Sequence, residues 1–343
     1  MNSNRIGVGI IGLGSIGIMH ARALRELADR VTLAAFSGGD RTAAAAAGWP
    51  AAAQLAPEEV IGHPGVQVVA ICSPTASHAS LALAALEAGQ HVVVEKPLAV
   101  RVADAVRIAD VARERGLLVS MVSQRRFEAE HQHLKRALDS GALGEVRLAT
   151  THVHWFRDDA YYASAPWRTS MSGGGGSLMN QGVHNVDLLR WLCGPVDSVT
   201  AQLGTLGRAM DAEDTTVATV RFSSGALGLI STSTATPPGA PATITVHTSA
   251  GVVELGQGEV VRWEVDGVPA PASTSAGIAS GAADPLAIGH QGHLSQWRDV
   301  VTAIETSTAP SVGAPDAVET VRLLCAIYEA AATGTTVRPA DLS

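Results

Sequence analysis

Cysteine is scarce in this chain of 343 residues, and its thiols lie far apart. Cys72, Cys193 and Cys325 are odd in number and widely spaced, which is typical of buried, reduced thiols in the cytoplasm rather than of a disulfide framework. None of them lies in a pattern that indicates a nucleophile or a metal ligand. We therefore expect a cytoplasmic protein without a bound metal.

Positive charge is also limited, with 24 Lys and Arg against 32 Asp and Glu and a formal net charge of -8. An acidic chain attracts neither the phosphates of nucleic acids nor anionic lipid headgroups. The apolar stretch near the N terminus is interrupted by glycines and lacks a small-residue cleavage site, which favours a buried strand over a signal peptide. No other stretch predicts a transmembrane segment. The expected partner is a small molecule, with no nucleic acid and no membrane.

Hydrophobic residues make up 46% of the chain, enough for the cores of two domains. In the first third, apolar runs alternate with helical stretches that end before Gly89 and Gly116, a pattern typical of βαβ units. Later segments are short, bounded by turns and rich in Thr and Val. We predict an α/β domain with a parallel sheet over 1–123 and an α+β domain with an open-faced, largely antiparallel sheet over 124–343. Its C-terminal helices can pack back on the first domain, and 269–289 is predicted to be a mobile loop.

A glycine-rich turn, Gly12-Leu13-Gly14-Ser15-Ile16-Gly17, follows the apolar run 6–11 and precedes a helix-like segment. The first glycine allows the tight turn, the second lets a pyrophosphate approach the backbone, and the third permits close helix packing. The helix N terminus presents partial positive charge to phosphates. This order of strand, turn and helix predicts a dinucleotide-binding Rossmann domain.

The segment Val94-Glu95-Lys96-Pro97-Leu98 places a lysine at the end of an apolar strand. Open α/β sheets bind ligands at the carboxyl ends of their strands, so the Lys96 ammonium can bond a hydroxyl that is being oxidised. We expect burial to lower the pKa of Lys96. A surface lysine paired with Glu95 is the alternative, but a place between an apolar strand and Pro97 favours catalysis.

Four motifs in this order make the chain resemble the glucose-fructose oxidoreductase, inositol dehydrogenase and rhizopine-catabolism (Gfo/Idh/MocA) family over essentially its whole length. They are Gly12-x-Gly14-x-x-Gly17, Ser73-Pro74-Thr75-x-x-His78, Glu95-Lys96-Pro97 and Gly175-Gly176-x-x-x-Asn180-x-Gly182-x-His184-x-x-Asp187. The resemblance implies a Rossmann domain, a sheet domain that often forms the interface of a homodimer or homotetramer, and oxidation of a secondary alcohol on a sugar or cyclitol.

The resemblance also implies NAD(P) contacts in the first three motifs and at the end of the second strand. The expected residues are Gly12, Gly14, Ser15, Ile16, Gly17, Ser37, Gly38, Arg41, Ser73, Pro74, Thr75, His78, Glu95, Lys96 and Pro97. NAD enzymes place an acid about 20 residues after the glycine turn to bind the ribose. Here Ser37 does not repel a 2′-phosphate and Arg41 can pair with one, so the sequence leans toward NADP. Alternatively, Asp40 serves the ribose and Arg41 is a solvated charge.

Asn180 and His184 are four residues apart and share one face of the helix predicted over 177–192. With Lys96 they form the expected catalytic set, in which His184 relays a proton. Many relatives carry aspartate where this chain has Asn180, and an amide cannot accept a proton, so the acid-base role passes to Lys96 and His184. This asparagine resembles the branch that acts on nucleotide-linked amino-sugar uronates and other pyranosides. Asp187 is expected to support the helix or the histidine.

Aromatic residues are only 4% of the chain, yet several gather in 155–168 together with arginines. Aromatic faces stack on sugar rings and arginines bind hydroxyls or carboxylates, although Trp155 and Tyr161 fit a hydrophobic plug equally well. The predicted substrate contacts are Gln124, Arg125, Trp155, Arg157, Tyr162, Trp167, Arg168, Asn180 and His184, with Arg126 as the alternative to Arg125. His152 and His154 share a strand face without a carboxylate or thiolate, which favours a polar sheet face over a metal site.

We hypothesise an NAD(P)-dependent dehydrogenase that transfers hydride from a secondary hydroxyl carbon to the nicotinamide, with Lys96 and His184 handling the proton. One alternative is a redox-neutral glycosidase or dehydratase that reduces a bound nicotinamide transiently. The other is a non-catalytic regulator that senses a sugar or dinucleotide. Retention of Glu95-Lys96-Pro97 and His184 favours an enzyme.

Overall fold

Two β-sheets organise the computed structural model, which describes residues 5–271 and 289–343. The strands are β1 (Ile6–Ile11), β2 (Val31–Ser37), β3 (Ala53–Gln54), β4 (Val68–Ile71), β5 (His91–Val94), β6 (Val119–Met121), β7 (Val146–His154), β8 (Val196–Gly204), β9 (Thr215–Phe222), β10 (Leu227–Ser233), β11 (Thr243–Thr248), β12 (Gly251–Leu255) and β13 (Val260–Val265). The α-helices are α1 (Ser15–Arg25), α2 (Arg41–Ala46), α3 (Pro57–Val60), α4 (His78–Glu87), α5 (Val102–Arg115), α6 (Ala129–Asp139), α7 (Asp159–Ala163), α8 (Val183–Cys193), α9 (Gln291–Thr306) and α10 (Ala314–Thr333).

The described chain divides into two compact units. The first contains residues 5–124 together with 289–318, and the second contains 125–271 together with 319–343. The division falls inside α10. In the described residues, no helix is long and apolar enough to cross a membrane.

The first unit is built on a parallel sheet with the strand order β3-β2-β1-β4-β5-β6. Its central strands are buried along their whole length, as expected for a sheet covered on both faces by helices. Helix α9 belongs to this unit, because Leu294, Trp297 and Val300 pack in one cluster with Val8 and Ile10. The strand order reverses direction between β1 and β4, and such a switch point is where open α/β sheets bind ligands.

The second unit is built on a mixed sheet with the order β13-β12-β11-β7-β10-β9-β8. Its pairs are antiparallel except β7 with β10, which are parallel because α8, β8 and β9 intervene and form the crossover that a parallel pair requires. Burial alternates along β9, so the described residues cover one face of the sheet and leave the other face exposed. The covered face packs on α8 and on the C-terminal part of α10.

The predicted fold class is confirmed, a parallel Rossmann sheet followed by a largely antiparallel one. The helix predicted over 177–192 is the main difference, because it begins as a π-helix, Ser177–Gly182, and continues as α8. Helix α4 also begins earlier than predicted, at His78. Gly116 ends α5 in the left-handed conformation, as its C-cap role predicts. Of the predicted loop 269–289, residues 272–288 lie outside the described residues.

Candidate functional site

The glycine turn after β1 shows a different steric reason for each of its three glycines. Gly12 has a φ of 98°, and a Cβ there would lie 2.7 Å from the Cys72 carbonyl. A Cβ on Gly17 would lie 2.2 Å from the Gly12 carbonyl oxygen. Gly14 is exposed, and a Cβ on it would meet no described atom within 4 Å. The space beside Gly14 is therefore open to a ligand, as a pyrophosphate contact requires.

The N terminus of α1 lies next to this turn. Among the described residues, no side chain caps it, and its first turn contains no acidic residue. The first amide groups of a helix lack intrahelical partners and carry partial positive charge, so they suit a phosphate group. Ser15, Ile16 and Gly17 form this first turn. The sequence-predicted phosphate site therefore has the geometry that a dinucleotide needs.

The loops that carry the other dinucleotide motifs start on the same edge of the parallel sheet. In the register of the sheet, Ile11 pairs with Ile71 and Ile71 pairs with Val94. Adjacent strands are about 4.8 Å apart, so the chain leaves β1, β4 and β5 side by side. The glycine turn, the Ser73 motif and Lys96 follow these three strand ends directly. Lys96 itself is half-buried.

His78 ties two of these loops together. Its Nδ1 lies 2.8 Å from the Pro97 carbonyl and its Nε2 lies 2.9 Å from the Ser73 carbonyl. Burial lowers the pKa of His78, and the bonds to the two carbonyls offset this only in part. The ring is thus neutral near neutral pH and donates to one carbonyl at a time. His78 was expected to bind cofactor, and its observed contacts position the Ser73 and Lys96 loops.

The residues at and after the end of β2 are those expected to contact the adenosine ribose of a bound dinucleotide. Ser37 is buried, and Gly38 and Gly39 both have positive φ. Asp40 caps α2, where its Oδ1 accepts a hydrogen bond from the Ala43 amide at 2.7 Å. Arg41 begins the helix and is exposed. The Asp40 carboxylate therefore has a hydrogen-bond donor within the protein. The Arg41 side chain, in contrast, is exposed to solvent.

In the second unit, the loop after β7 gathers cations on aromatic rings. The Arg157 guanidinium lies 4.9 Å from the Trp155 ring centroid and 5.4 Å from that of Tyr161. Arg168 lies 4.1 Å from the Tyr161 ring centroid and 5.8 Å from that of Trp167. Trp155 and Arg157 are buried, and Tyr161, Trp167 and Arg168 are half-buried. The structure brings these predicted substrate residues into one cluster around Tyr161.

The two tyrosines of this loop have different surroundings. Tyr162, which was predicted to contact substrate, is 7% exposed, and its hydroxyl lies 2.7 Å from Thr234 Oγ1. The Tyr161 hydroxyl accepts hydrogen bonds from Asn180 Nδ2 at 3.1 Å and from Gln181 Nε2 at 2.6 Å. Tyr161, for which the sequence allows either a substrate contact or a hydrophobic plug, is therefore the tyrosine that contacts a predicted catalytic residue.

The π-helix places Asn180 in an irregular turn before α8, which carries His184. Both side chains are half-buried, and their immediate sequence neighbours are buried. π-helical turns occur frequently at functional sites. Glu213 holds the start of this turn, because its Oε1 accepts from the Leu178 amide at 2.7 Å. Burial raises the pKa of Glu213, although hydrogen bonds from Leu178 and from Tyr328 counteract it.

The arginines at the start of the second unit have structural partners. Arg126 forms a two-point ion pair with Asp187, with Nε 2.7 Å from Oδ2, and Thr320 Oγ1 donates to the same carboxylate at 2.7 Å. Burial raises the pKa of Asp187, but Arg126 outweighs it and lowers the pKa below its usual value. The carboxylate of Asp187 thus has a structural role through Arg126 and Thr320. Arg125, a predicted substrate contact, is buried and donates to Asn185 Oδ1 at 2.7 Å.

Two family models match the chain. One, described as an oxidoreductase family with an NAD-binding Rossmann fold, matches residues 6–123, and the GFO/IDH/MocA C-terminal domain matches residues 131–254. The myo-inositol 2-dehydrogenase of Thermotoga maritima is 31% identical over 235 residues, which cover 66% of this chain and 68% of that protein. The chain belongs to the Gfo/Idh/MocA oxidoreductase family.

Two further similar proteins are described with different small molecules. Inositol 2-dehydrogenase 1 of Saccharopolyspora erythraea is 34% identical over 54% of this chain and 54% of that protein, so this alignment spans about half of that relative. The WlbA dehydrogenase of Bordetella pertussis, solved with NADH and UDP-GlcNAcA, is 30% identical with a TM-score of 0.85 over 97% of this chain and 98% of that one. The first unit of our Gfo/Idh/MocA protein has the fold that the first family model describes, an NAD-binding Rossmann fold.

Proposed function

We propose that this protein is a nicotinamide-dependent dehydrogenase that oxidises a secondary hydroxyl of a sugar, a sugar derivative or a cyclitol. The observation that carries the proposal lies in the first unit. The open space at Gly14, the uncapped N terminus of α1 and Lys96 follow strand ends that lie side by side at the ligand-binding edge of a parallel sheet. A dinucleotide-binding turn and a half-buried lysine at one edge suit hydride chemistry on an alcohol.

The protein side chains in this proposal bind and orient the substrate and move a proton. Lys96 bonds the reacting hydroxyl and exchanges its proton, and His184 relays that proton. When bound, the nicotinamide supplies the hydride acceptor. Asn180 orients the substrate through its amide, because it cannot exchange a proton itself. The contact between Asn180 and Tyr161 adds the Tyr161 ring to the substrate residues.

We infer a pyranoside that carries an anionic group as the preferred substrate class. Tyr161 offers a ring for stacking, and Arg157 and Arg168 lie against the same ring. Guanidinium groups bind carboxylates and phosphates with two hydrogen bonds. The UDP-GlcNAcA in the related WlbA dehydrogenase supports this choice. The inositol dehydrogenases among the relatives keep an uncharged cyclitol as the second candidate.

We infer NADP as the preferred dinucleotide. Asp40 is engaged in capping α2, and Arg41 is exposed at the end of β2, where a 2′-phosphate can reach it. The relatives crystallised with NADH keep NAD as the alternative. Comparing the dissociation constants of NADPH and NADH for the purified protein decides between them.

We also infer a homodimer or homotetramer that forms through the uncovered face of the second sheet. Leu148 and Leu227 are paired across β7 and β10, and Val217 lies on the same face of β9. These side chains are 41%, 48% and 46% exposed. Exposed apolar side chains on one face of a sheet favour an interaction surface there. The mass of the protein in solution tests this inference.

The experiment that tests the proposed function is nicotinamide reduction by the purified protein with a panel of alcohols. NAD+ and NADP+ are supplied separately with pyranosides, uronates, nucleotide sugars and cyclitols. Turnover with one class supports the dehydrogenase and identifies both the substrate type and the dinucleotide. Silence across the panel despite dinucleotide binding supports a redox-neutral enzyme or a sensor instead.

A further inference from the structure

A buried chain of hydrogen bonds leads from helix α9 to the backbone of Lys96 within the first unit. The indole Nε1–H of Trp297 donates to His20 Nδ1 at 2.9 Å. His20 Nε2 lies 3.0 Å from Glu95 Oε1, and Glu95 Oε2 accepts a hydrogen bond from the Lys96 amide at 3.2 Å. Trp297, His20 and Glu95 are 2%, 1% and 7% exposed. Helices α1 and α9 therefore both hold the carboxylate that bonds the lysine's own backbone.

The tautomer of His20 follows from Trp297. An indole N–H only donates, so His20 Nδ1 must present a lone pair, and the ring proton lies on Nε2, directed at Glu95. Burial lowers the pKa of His20, but Cys72 and Glu95 outweigh burial and raise the pKa to about 10, so the proton directed at Glu95 is held firmly. A second proton on Nδ1 would face the indole N–H at 2.9 Å, so the hydrogen-bond geometry favours the ring with its proton on Nε2. The direction of donation is thus uniform, from Trp297 to His20 and from His20 to Glu95.

Glu95 carries the negative charge at the end of this chain. Burial alone would raise the pKa of Glu95, but the imidazoles of His20 and His293 outweigh it and hold the pKa well below its usual range. An ionised carboxylate accepts hydrogen bonds that are shorter and stronger than those of a neutral group. One oxygen is held by His20, so the other oxygen has a fixed position from which to accept the Lys96 amide.

A metal site is the other interpretation of these residues. His20, Glu95 and His293 are buried and offer ligand atoms within 4.8 Å of one another, and two histidines with a carboxylate can bind zinc or iron. A metal ion here would need the lone pair of His20 Nε2, where the proton lies. Histidines that bind metals donate their other ring N–H to an acceptor, whereas the other nitrogen of His20 accepts from Trp297. The donor set therefore favours the hydrogen-bonded chain.

We propose that His20 and Trp297 are positioning residues for Lys96, acting through Glu95 on the backbone that carries the lysine. The proposal rests on the proposed function, in which Lys96 bonds the reacting hydroxyl. Neither residue touches the substrate. Loss of the His20 donor leaves Glu95 Oε1 without this partner in the interior, and the carboxylate and the Lys96 amide shift together. Misplacement of a reacting group by about 1 Å can lower kcat about a hundredfold.

The chain offers an unusually clean spectroscopic test, because Lys96 and Lys135 are its only lysines. Selective 13C labelling of the lysine Cε thus gives two side-chain signals in the NMR spectrum, one for each lysine. Lys135 lies on α6 in the second unit, beside Trp191, and provides the internal reference.

Three variants distinguish the role of His20 from that of Trp297. His20→Leu removes the donor and the acceptor, His20→Gln keeps one of each, and Trp297→Phe removes only the indole donor while keeping an aromatic ring.

We expect His20→Leu to move the Lys96 signal and to lower kcat about a hundredfold, with the Lys135 signal and the dinucleotide dissociation constant nearly unchanged. His20→Gln should restore the Lys96 signal and most of kcat, which a merely space-filling role would not explain. Trp297→Phe should move the Lys96 signal by an intermediate amount. If His20→Leu does not fold, Trp297→Phe is the variant that tests the proposal.

Three results would overturn the proposal. The first is an unmoved Lys96 signal with wild-type kcat in His20→Leu or, where that variant does not fold, in Trp297→Phe. The second is a His20→Gln variant as impaired as His20→Leu. The third is stoichiometric zinc or iron in the purified protein that is lost in His20→Gln. A wild-type protein without turnover would instead refute the proposed function, and the displacement of the Lys96 signal would still decide whether His20 positions Lys96.

Discussion

Gly17 lies so close to Gly12 that a Cβ at position 17 would be 2.2 Å from the Gly12 carbonyl oxygen. The neighbouring Gly14 has open space instead. We therefore expect Gly17 to be required for folding and Gly14 to be required for dinucleotide binding.

Gly14→Ala should lower dinucleotide affinity and leave stability intact. Its Cβ occupies the space next to the uncapped helix N terminus, so we expect about a tenfold rise in the dissociation constant, about 1.4 kcal/mol. Gly17→Ala should cost about 1–3 kcal/mol of unfolding free energy, because the turn must move. Dinucleotide titration and urea unfolding of both variants check this. Equal loss of stability in the two variants would refute the separation.

Arg41→Ala should weaken NADPH binding and spare NADH. The exposed guanidinium at the end of β2 is the group proposed to pair with the 2′-phosphate, and a hydrogen bond to a charged group contributes about 1.5–3 kcal/mol. The matched control is Arg107→Ala, which removes the same charge from an exposed position on α5. The measurement is the ratio of the two dissociation constants. If the ratio of the NADPH and NADH dissociation constants is unchanged in Arg41→Ala, Arg41 does not bind the 2′-phosphate and is a solvated charge.

Tyr161→Phe should lower kcat/KM about tenfold with little change in stability. The variant keeps the ring and removes the hydroxyl that accepts from Asn180 and Gln181, so the Asn180 amide loses one of its restraints. Tyr162→Phe loses the bond to Thr234 and should show its effect in the free energy of unfolding, about 1 kcal/mol. Wild-type kcat/KM in Tyr161→Phe would remove Tyr161 from the proposed substrate residues.

Asp187→Asn should destabilise the second unit by about 3 kcal/mol at neutral pH, because it breaks a buried ion pair on one side. The pKa of Asp187 is lowered by Arg126 in the folded protein, so its contribution is complete above the usual carboxyl pKa. The contribution disappears as the pH falls through the lowered value. Urea unfolding of wild type and variant should therefore converge in acid.

The control for Asp187 is Asp104→Asn, which breaks a surface pair with Arg101. Exposed ion pairs contribute less than about 1 kcal/mol. A loss in Asp187→Asn no larger than in Asp104→Asn would contradict the structural role of the buried pair.

Local patterns in the sequence were sufficient for the fold and for the dinucleotide loop. The strand, turn and helix around Gly12 to Gly17 are adjacent in the chain, and the βαβ alternation predicts the parallel sheet. Contacts between segments that are far apart in the sequence have no such local pattern and could not be predicted from it. His20 and Trp297 are 277 residues apart, and no periodicity links them. Glu213 likewise holds the helix start at Leu178 from another part of the chain.

The two tyrosines show a second limit of the sequence. Tyr161 and Tyr162 are neighbours with the same chemistry, so only the packing of the loop decides which hydroxyl faces Asn180. The π-helical turn is similar, because the sequence from 177 to 192 has the spacing of an ordinary helix. Its irregular start depends on the Glu213 carboxylate and on the close approach of Gly176 to it.

The central claim is that Lys96 acts on the hydroxyl whose carbon gives hydride to the nicotinamide. The most direct test is the first-order rate of nicotinamide reduction after rapid mixing with the best substrate of the panel, measured for wild type, Lys96→Ala and Lys135→Ala. We predict a rate about 10²–10⁴-fold lower for Lys96→Ala, with dinucleotide binding retained, and the wild-type rate for Lys135→Ala. A Lys96→Ala variant that reduces the nicotinamide at most of the wild-type rate would contradict the account.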